Sequence, residues 1–296
     1  MEERLYTACS HGNIEKVANL LQDSQININW QDPEYSRTSF YLACYFGHTD
    51  IVKLLLNDNR VDINQAQSEG FTPLCIACQV GYIEIVKLLL NDERIDINKT
   101  NNNGATPFFI ACYYQEIEIV ELLLNDQRVN ITKANNDGEV PFYIACYNGQ
   151  IEIVKLLLND KRINVNKARN NGEIPFEIAC SNGYIEIVKL LLNDNRVYIN
   201  QVNNNGATPF YSACFFGKIE IVKLLLSGQR IDVNQANNIN DEVTPFWIAC
   251  EHGHIDIVKL LLNDQRIQIN KANNKETTPF YIACQQGHIE IVKLLL

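Results

Sequence analysis

Apolar side chains recur along this chain with helical periodicity, in pairs of short segments separated by polar turns. After Thr106, the residues Phe108, Ala111 and Cys112 follow an i, i+3, i+4 spacing, which predicts a helix with one buried stripe. Threonine is a preferred N-cap, and Pro107 suits the first helical position, where its missing N–H costs nothing.

A second and more apolar helix is predicted directly after the first. Its apolar residues are Ile117, Ile119, Val120, Leu122, Leu123 and Leu124. So wide an apolar stripe must be packed on several sides, while Glu118 and Glu121 point outward. A short extended stretch and a polar tip rich in Asn and Gly follow, which together predict a projecting finger.

This unit is repeated along the chain. The same place in each unit is marked by nine cysteines, the ladder cysteines: Cys9, Cys44, Cys78, Cys112, Cys146, Cys180, Cys214, Cys250 and Cys284. Successive ladder cysteines are 34 residues apart, except for a first interval of 35 and one of 36 after Cys214. Such a period predicts a solenoid, because one unit cannot bury its apolar faces without neighbours. We expect a single array over residues 1–296 with about nine repeats, an N-terminal capping repeat at 1–29 and an incomplete last repeat at 270–296.

The motifs separate two repeat families that share this period. Tetratricopeptide repeats place Trp, Leu-Gly and Tyr in the first helix. Here Gly-x-Thr-Pro-Phe-aromatic-Ile-Ala-Cys resembles the ankyrin signature Gly-x-Thr-Pro-Leu-His-x-Ala-Ala, and the run from Gly81 to Leu90 is similar to the second ankyrin helix. The Asn- and Ile-rich units also resemble the expanded ankyrin families of AT-rich protist genomes. The resemblance implies an all-α ankyrin-repeat solenoid of stacked helix–turn–helix units with β-hairpin-like fingers.

The chain departs from the ankyrin pattern at two places. Each unit is one residue longer than usual because Asn-Asp-x-Arg follows the second helix, so the Gly that normally ends this helix is missing except at Gly228. The signature His, which in the family makes hydrogen bonds between repeats, is replaced at what we call the slot position. The slot residues are Tyr41, Cys75, Phe109, Tyr143, Glu177, Tyr211, Trp247 and Tyr281. We therefore expect packing to replace the polar cross-link.

Composition and charge narrow the function. A hydrophobic fraction of 46% supports a continuous core, and a net charge of -10 disfavours nucleic acid and anionic membrane surfaces as partners. No signal peptide follows Met1, and no apolar stretch approaches the ~20 residues that span a bilayer. We expect an intracellular protein, in the cytoplasm or the nucleus, that makes no membrane contact.

The cysteines and histidines are the residues most able to form disulfides, redox sites or metal sites. Neighbouring helices lie ~8–10 Å apart, whereas disulfides need Cα separations below about 7 Å, so ladder cysteines are expected to fill a small buried position. Cys75 and Cys78 form a lone C-x-x-C, which is weak redox evidence. Of the five histidines, His48, His254 and His288 follow the Gly between helices, where structural capping is expected; His11 and His252 lie elsewhere.

No repeat combines a nucleophile with a base and an orienting group, and no glycine-rich phosphate loop is present. The sequence therefore predicts no catalytic residue, no cofactor, no metal site and no small-molecule substrate. The arginine of Asn-Asp-x-Arg recurs at Arg60, Arg94, Arg128, Arg162, Arg196, Arg230 and Arg266. An anion-binding stripe is one interpretation of this series, but the preceding aspartates favour local pairing.

The two residues after each ladder cysteine differ from repeat to repeat, while the second helices are almost identical. They end the first helix, where ankyrin arrays usually face their partners, and exposed aromatics there are typical of binding hot spots. Packing on neighbouring fingers is the competing interpretation. The predicted contact residues are Tyr45, Phe46, Tyr113, Tyr114, Tyr147, Phe215 and Phe216, with Trp30, Tyr35 and Phe71 on the early fingers.

These observations predict a non-enzymatic scaffold that binds a protein partner on the concave face of first helices and fingers. Carboxylates on the fingers suggest a basic segment as the partner: Glu69, Asp137, Glu139, Glu173, Asp241 and Glu242. The first alternative is the substrate-recognition segment of a larger kinase or ubiquitin ligase, and the second is a mechanical spacer. The apolar last repeat leads us to expect either further sequence after Leu296 or self-association.

Overall fold

Paired short helices make up almost all regular structure in this computed structural model, which describes residues 1–237 and 241–296. These residues form eighteen helices in nine pairs and no strand longer than an isolated bridge. The all-α class is confirmed. Backbone packing divides the chain into two units, Met1–Pro141 and Phe142–Leu296, which we describe separately.

In the first unit, the first helix of each repeat packs on the first helix of the next, and the second helices do the same. The core lies between the two layers, where Ile85, Val86 and Leu89 are fully buried. The helices are α1 (Glu2–Ser10), α2 (Ile14–Leu21), α3 (Ser39–Tyr45), α4 (Thr49–Leu56), α5 (Pro73–Val80), α6 (Ile83–Leu90), α7 (Pro107–Tyr113) and α8 (Ile117–Leu124).

The second unit repeats this arrangement, with α11, α13, α15 and α17 in one layer and α10, α12, α14, α16 and α18 in the other. Its helices, the first of which begins at the unit boundary, are α9 (Pro141–Tyr147), α10 (Ile151–Leu158), α11 (Pro175–Asn182), α12 (Ile185–Leu192), α13 (Pro209–Phe215), α14 (Ile219–Leu226), α15 (Pro245–Glu251), α16 (Ile255–Leu262), α17 (Pro279–Gln285) and α18 (Ile289–Leu295). Of the nine ladder cysteines in the chain, eight are buried and Cys284 is exposed.

Most first helices begin as the sequence predicts. A threonine hydroxyl accepts the N–H three residues further on, as Thr106 does from Phe109 at 3.1 Å. The same cap is present at Thr38, Thr72, Thr208, Thr244 and Thr278. The N-cap of helix α11 is Ile174, whose aliphatic side chain cannot accept a hydrogen bond from the backbone N–H.

Arginine side chains complete the carbonyl ends of the second helices, where the usual Gly is missing. Arg94 Nη2 donates to Leu56 O of the preceding repeat at 2.9 Å and to Asp92 Oδ2 at 2.6 Å. Because Arg94 Nε also donates to Asp92 Oδ1 at 2.9 Å, the ion pair between the two side chains is bidentate, and it holds the pKa of Asp92 below its ordinary value. Local pairing is thereby confirmed against the anion-binding stripe. Equivalent bonds to a leucine carbonyl are made by Arg60, Arg128, Arg196, Arg230 and Arg266.

An asparagine in most finger bases joins successive repeats, and Thr132 stands at the equivalent position after α8. Asn64 Nδ2 donates to Arg94 O at 2.8 Å, and its Oδ1 accepts from Asp96 N at 2.8 Å. Because the amide supplies a donor and an acceptor to one neighbouring strand-like segment, it fixes the register between two repeats. Asn29, Asn98, Asn166, Asn200 and Asn234 make the same pair of bonds.

The fingers are tight turns closed by a side chain. Asn101 Oδ1 accepts from the N–H groups of Asn103 and Ala105, and Asn101 N donates to Ala105 O. Within the described residues the only bridges are antiparallel and isolated, at Gln31–Thr38 and Asn237–Val243. The fingers therefore have the shape of a hairpin without a β ladder.

The uncapped start of α11 leads to a first prediction. A lost N-cap hydroxyl costs roughly 0.5–2 kcal/mol, and Val140 stands at the equivalent position before α9. Residues 140–180 should exchange amide hydrogens faster than the corresponding segments of the third and eighth repeats, which begin at Thr72 and Thr244. Peptide-resolved hydrogen exchange measures this, and uniform protection across the repeats would contradict it.

The arginine caps lead to a second prediction. Arg94→Ala removes bonds to Leu56 O and Asp92, and should lower the free energy of unfolding by about 1–2 kcal/mol. The matched control is Lys87→Ala, which breaks an exposed ion pair with Glu84 at 2.7 Å and should cost less than about 0.5 kcal/mol. Urea unfolding of both variants compares them, and equal losses would show that the arginine is an ordinary surface charge.

Candidate partner-binding surface

Two pairs of neighbouring aromatic rings are exposed at the ends of first helices in the first unit. The rings of Tyr45 and Phe46 lie edge to face with centroids 4.8 Å apart, and those of Tyr113 and Tyr114 are 5.0 Å apart. Tyr113 and Tyr114 are 47% and 43% exposed. Each pair thus presents apolar area to solvent at the place where the sequence predicts partner contacts.

The early fingers hold the three additional predicted residues. Phe71 is half-buried and lines one cleft of about 440 Å³ together with Tyr113 and Tyr114. Trp30 is half-buried with its ring edge to face against Tyr6, at a centroid distance of 5.6 Å. Tyr35 is exposed and carries the Arg37 guanidinium 4.3 Å above its ring. The structure therefore joins Phe71 to the Tyr113–Tyr114 pair and places Trp30 and Tyr35 on another finger.

The second unit holds the remaining predicted residues, in two different settings. Tyr147 is exposed and stacks on Tyr143 at 6.4 Å. Phe216 is 54% exposed, whereas Phe215 is half-buried between Phe216 and His252, with ring centroids 4.8 and 4.5 Å away. Part of Phe215 therefore serves packing, against the end of the next first helix and not against a finger as the competing interpretation expects, while Phe216 faces solvent.

Several slot residues retain a polar link to the next repeat, so the expectation that packing alone replaces it is wrong for these positions, although it holds for the buried Phe109. Trp247 Nε1 donates to Thr277 O at 3.0 Å, and Tyr143 Oη donates to Glu173 Oε2 at 3.1 Å. Polar finger side chains also lie near the hydroxyl groups of Tyr41 and Tyr211, Gln67 at the first and Asn237 at the second. Tyr and Trp side chains are longer than the His of the ankyrin signature, so the polar atom at the end of the ring contacts the next finger. The sequence alone does not show this contact.

Glu177 is the slot residue whose environment the sequence least describes. Its side chain is 2% exposed, and its Oε1 accepts from Asn203 Nδ2 at 2.6 Å and from Ser212 Oγ at 3.0 Å. Burial raises the pKa of this carboxyl to about 8. The sequence shows only a charge in place of a ring, so the buried acid is a finding of the structure.

Three histidines connect repeats at the opposite end of the first helices. His48 Nε2 bonds to Ser10 O at 3.0 Å, His254 Nε2 to Phe215 O at 2.9 Å and His288 Nε2 to Glu251 O at 2.9 Å. Each acceptor is the last residue of the preceding first helix. The predicted capping role is confirmed, with the cap on the neighbouring helix.

The remaining candidate chemistry is structural. All ten cysteines are free thiols, and burial raises the pKa of Cys75 and Cys78, which is the opposite of what a reactive thiolate needs. No group of three or more metal-ligating side chains is found in residues 1–237 and 241–296. None of the helices described is long and apolar enough to cross a membrane.

The finger carboxylates divide into two groups. Glu173 pairs with Arg169 at 2.6 Å, Asp241 pairs with Lys275, and Glu139 accepts from Asn135 at 2.9 Å. Glu69 and Asp137 are exposed. The acidic character available to a partner is therefore smaller than the sequence suggests.

Comparison with known proteins agrees with the geometry of the repeats. The model of the family described as ankyrin repeats (3 copies) matches residues 5–101, 93–169, 162–237 and 231–296. No curated protein matches the chain. Ankyrin repeats are generally protein–protein interaction modules. The helix pairs, the threonine caps and the family match over nearly the whole length establish that this chain belongs to the ankyrin repeat family.

Proposed function

We propose that this chain is a non-enzymatic intracellular adaptor that binds a protein partner on the face formed by its first helices and fingers. The observation that carries the proposal is the cleft in which Phe71 joins the exposed pair Tyr113 and Tyr114. Rigid aromatic side chains beside a cleft offer large apolar area at small entropic cost, which is characteristic of interface hot spots.

The opposite surface offers a partner little to distinguish one repeat from another. Most second helices expose an ion pair at the same i, i+3 positions, such as Lys87 with Glu84 at 2.7 Å and Lys155 with Glu152 at 2.7 Å, while the fourth repeat has Glu118 and Glu121 there. Exposed pairs of this kind contribute little energy and no variation. The two residues after each ladder cysteine differ from repeat to repeat, which supports specificity on the first-helix face.

The adaptor proposal predicts a separation of binding from stability. After affinity purification and mass spectrometry identify a partner, Tyr113→Ala/Tyr114→Ala should weaken its binding by more than ~2 kcal/mol, because both rings lose apolar contact with it. The melting temperature should barely change, since both side chains are about half exposed. Titration calorimetry and a thermal melt measure the two quantities.

The matched control is Glu118→Ala/Glu121→Ala, on the exposed side of the second helix in the same repeat. We expect this variant to bind like the unaltered protein. A large loss of melting temperature with unchanged affinity in the tyrosine variant would identify Tyr113 and Tyr114 as packing residues. Equal losses of affinity in both variants would contradict binding on the first-helix face.

A further inference from the structure

The sixth repeat lacks a pair of stacked rings that its neighbours have. In the fifth repeat Tyr143 stacks on Tyr147 at 6.4 Å, and in the seventh Tyr211 stacks on Phe215 at 6.4 Å. The corresponding residues of the sixth repeat are Glu177 and Ser181, joined only by a bond from Ser181 Oγ to Glu177 O at 3.0 Å. Two large rings are thus replaced by a carboxyl and a hydroxyl.

A cleft of about 260 Å³ occupies this region. Glu177 and Ser181 line one side, and the next repeat supplies Tyr211, Phe215 and Phe216. The cleft therefore combines a carboxyl group with aromatic rings, one of which, Phe216, is mostly exposed.

Glu177 has unused capacity for hydrogen bonding. Both of its neutral donors, Asn203 and Ser212, bond to Oε1, while Oε2 is buried and has no hydrogen-bond partner. A buried acceptor without a donor costs free energy, more so when the group is ionised. The nearby Arg169 is held 2.6 Å from Glu173 in an ion pair. Arg169 lowers the pKa of Glu177 through space, but among the described residues no cation forms an ion pair with Glu177 itself.

We propose that this cleft binds one lysine or arginine side chain of the protein partner, with the cationic group at Glu177 and the aliphatic stem against Phe215 and Phe216. The proposal rests on the proposed adaptor function and names the chemistry that one part of its surface recognises. A cation supplies the missing donor to Oε2, and the aromatic rings cover the apolar stem of the bound side chain. A neutral side chain would leave Glu177 protonated or unpaired.

Binding of this kind is linked to a proton. The raised pKa, about 8, keeps most Glu177 protonated at pH 7, and the incoming cation favours the ionised form, so a proton leaves to the solvent. Affinity therefore rises with pH until the pKa of the free protein is passed. Cys180 and Tyr211 remain protonated because burial raises their pKa values. The ion-paired Glu173 and Arg169 act in opposite directions on the pKa of Glu177, which Glu173 raises and Arg169 lowers.

The test uses the full 296-residue chain and a defined set of probes. Random peptides displayed on phage are selected on the protein at pH 8.5, and one selected peptide is synthesised with each lysine replaced in turn by norleucine, or each arginine by citrulline. Titration calorimetry should show one replacement that weakens binding about tenfold or more to the unaltered protein and less than about twofold to Glu177→Gln.

The pH dependence provides an independent readout. Affinity of the unaltered protein for the cationic peptide should rise about tenfold or more between pH 6.5 and 8.5, while that of Glu177→Gln should change less than about twofold. Glu177→Tyr/Ser181→Tyr restores the pair of rings found in the fifth repeat. This variant should keep its thermal melt and lose the cationic peptide.

The outcomes separate the two proposals. Selected peptides whose binding requires Phe216 but shows no cation preference would overturn the cation site and leave the adaptor function standing. An equal effect of norleucine on the unaltered protein and on Glu177→Gln would also overturn the cation site. Failure to select any peptide would count against both proposals.

Discussion

Each repeat leaves helix ends and apolar faces that only its neighbour completes, and this mutual completion is the constraint on which the structure depends. Asn64 bonds to Arg94 O and Asp96 N, Arg94 bonds to Leu56 O, and His48 bonds to Ser10 O. All of these partners are about one repeat away in sequence. Short helices of about two turns are marginal alone, so packing and these cross-repeat bonds together make them stable. Stability is consequently local to pairs of neighbouring repeats.

The part of the fold that depends on local sequence could be predicted from it. The threonine cap at Thr106 and the buried stripe with Cys112 need only the residues of one repeat, and both are observed. Contacts between repeats were harder to predict from the sequence, because they depend on how far a side chain extends toward the next repeat. Arg94 lies beside Asp92 in sequence, yet its bond to Leu56 O requires the stacking geometry. The indole N–H of Trp247 likewise donates to Thr277 O, a hydrogen bond that no sequence motif predicts.

The sequence predicted which positions form the candidate site, but it did not predict how exposed each side chain is or which residues it contacts. Tyr113 and Phe216 are exposed as their places after ladder cysteines suggest, whereas Phe215 is half-buried against His252. Exposure depends on the residues that the next repeat happens to carry, and a single-repeat pattern omits them. Glu177 shows the same limit more strongly, since its partners Asn203 and Ser212 lie in the following finger and helix.

The bonds that hold the scaffold and the proposed recognition residues occupy different positions in most repeats, and this separation has a physical consequence. The exposed ring of Tyr114 takes no part in the asparagine, arginine and histidine bonds described between repeats, so it can vary without weakening those bonds. In the sixth repeat the proposed cation site brings the two roles together, because Glu177 is a slot residue that also lines a cleft. There the protein accepts an uncapped helix after Ile174 and a buried acid in the same repeat. Two local preferences, for a capped helix start and for apolar buried residues, are thus broken in one repeat, as is typical of functional sites.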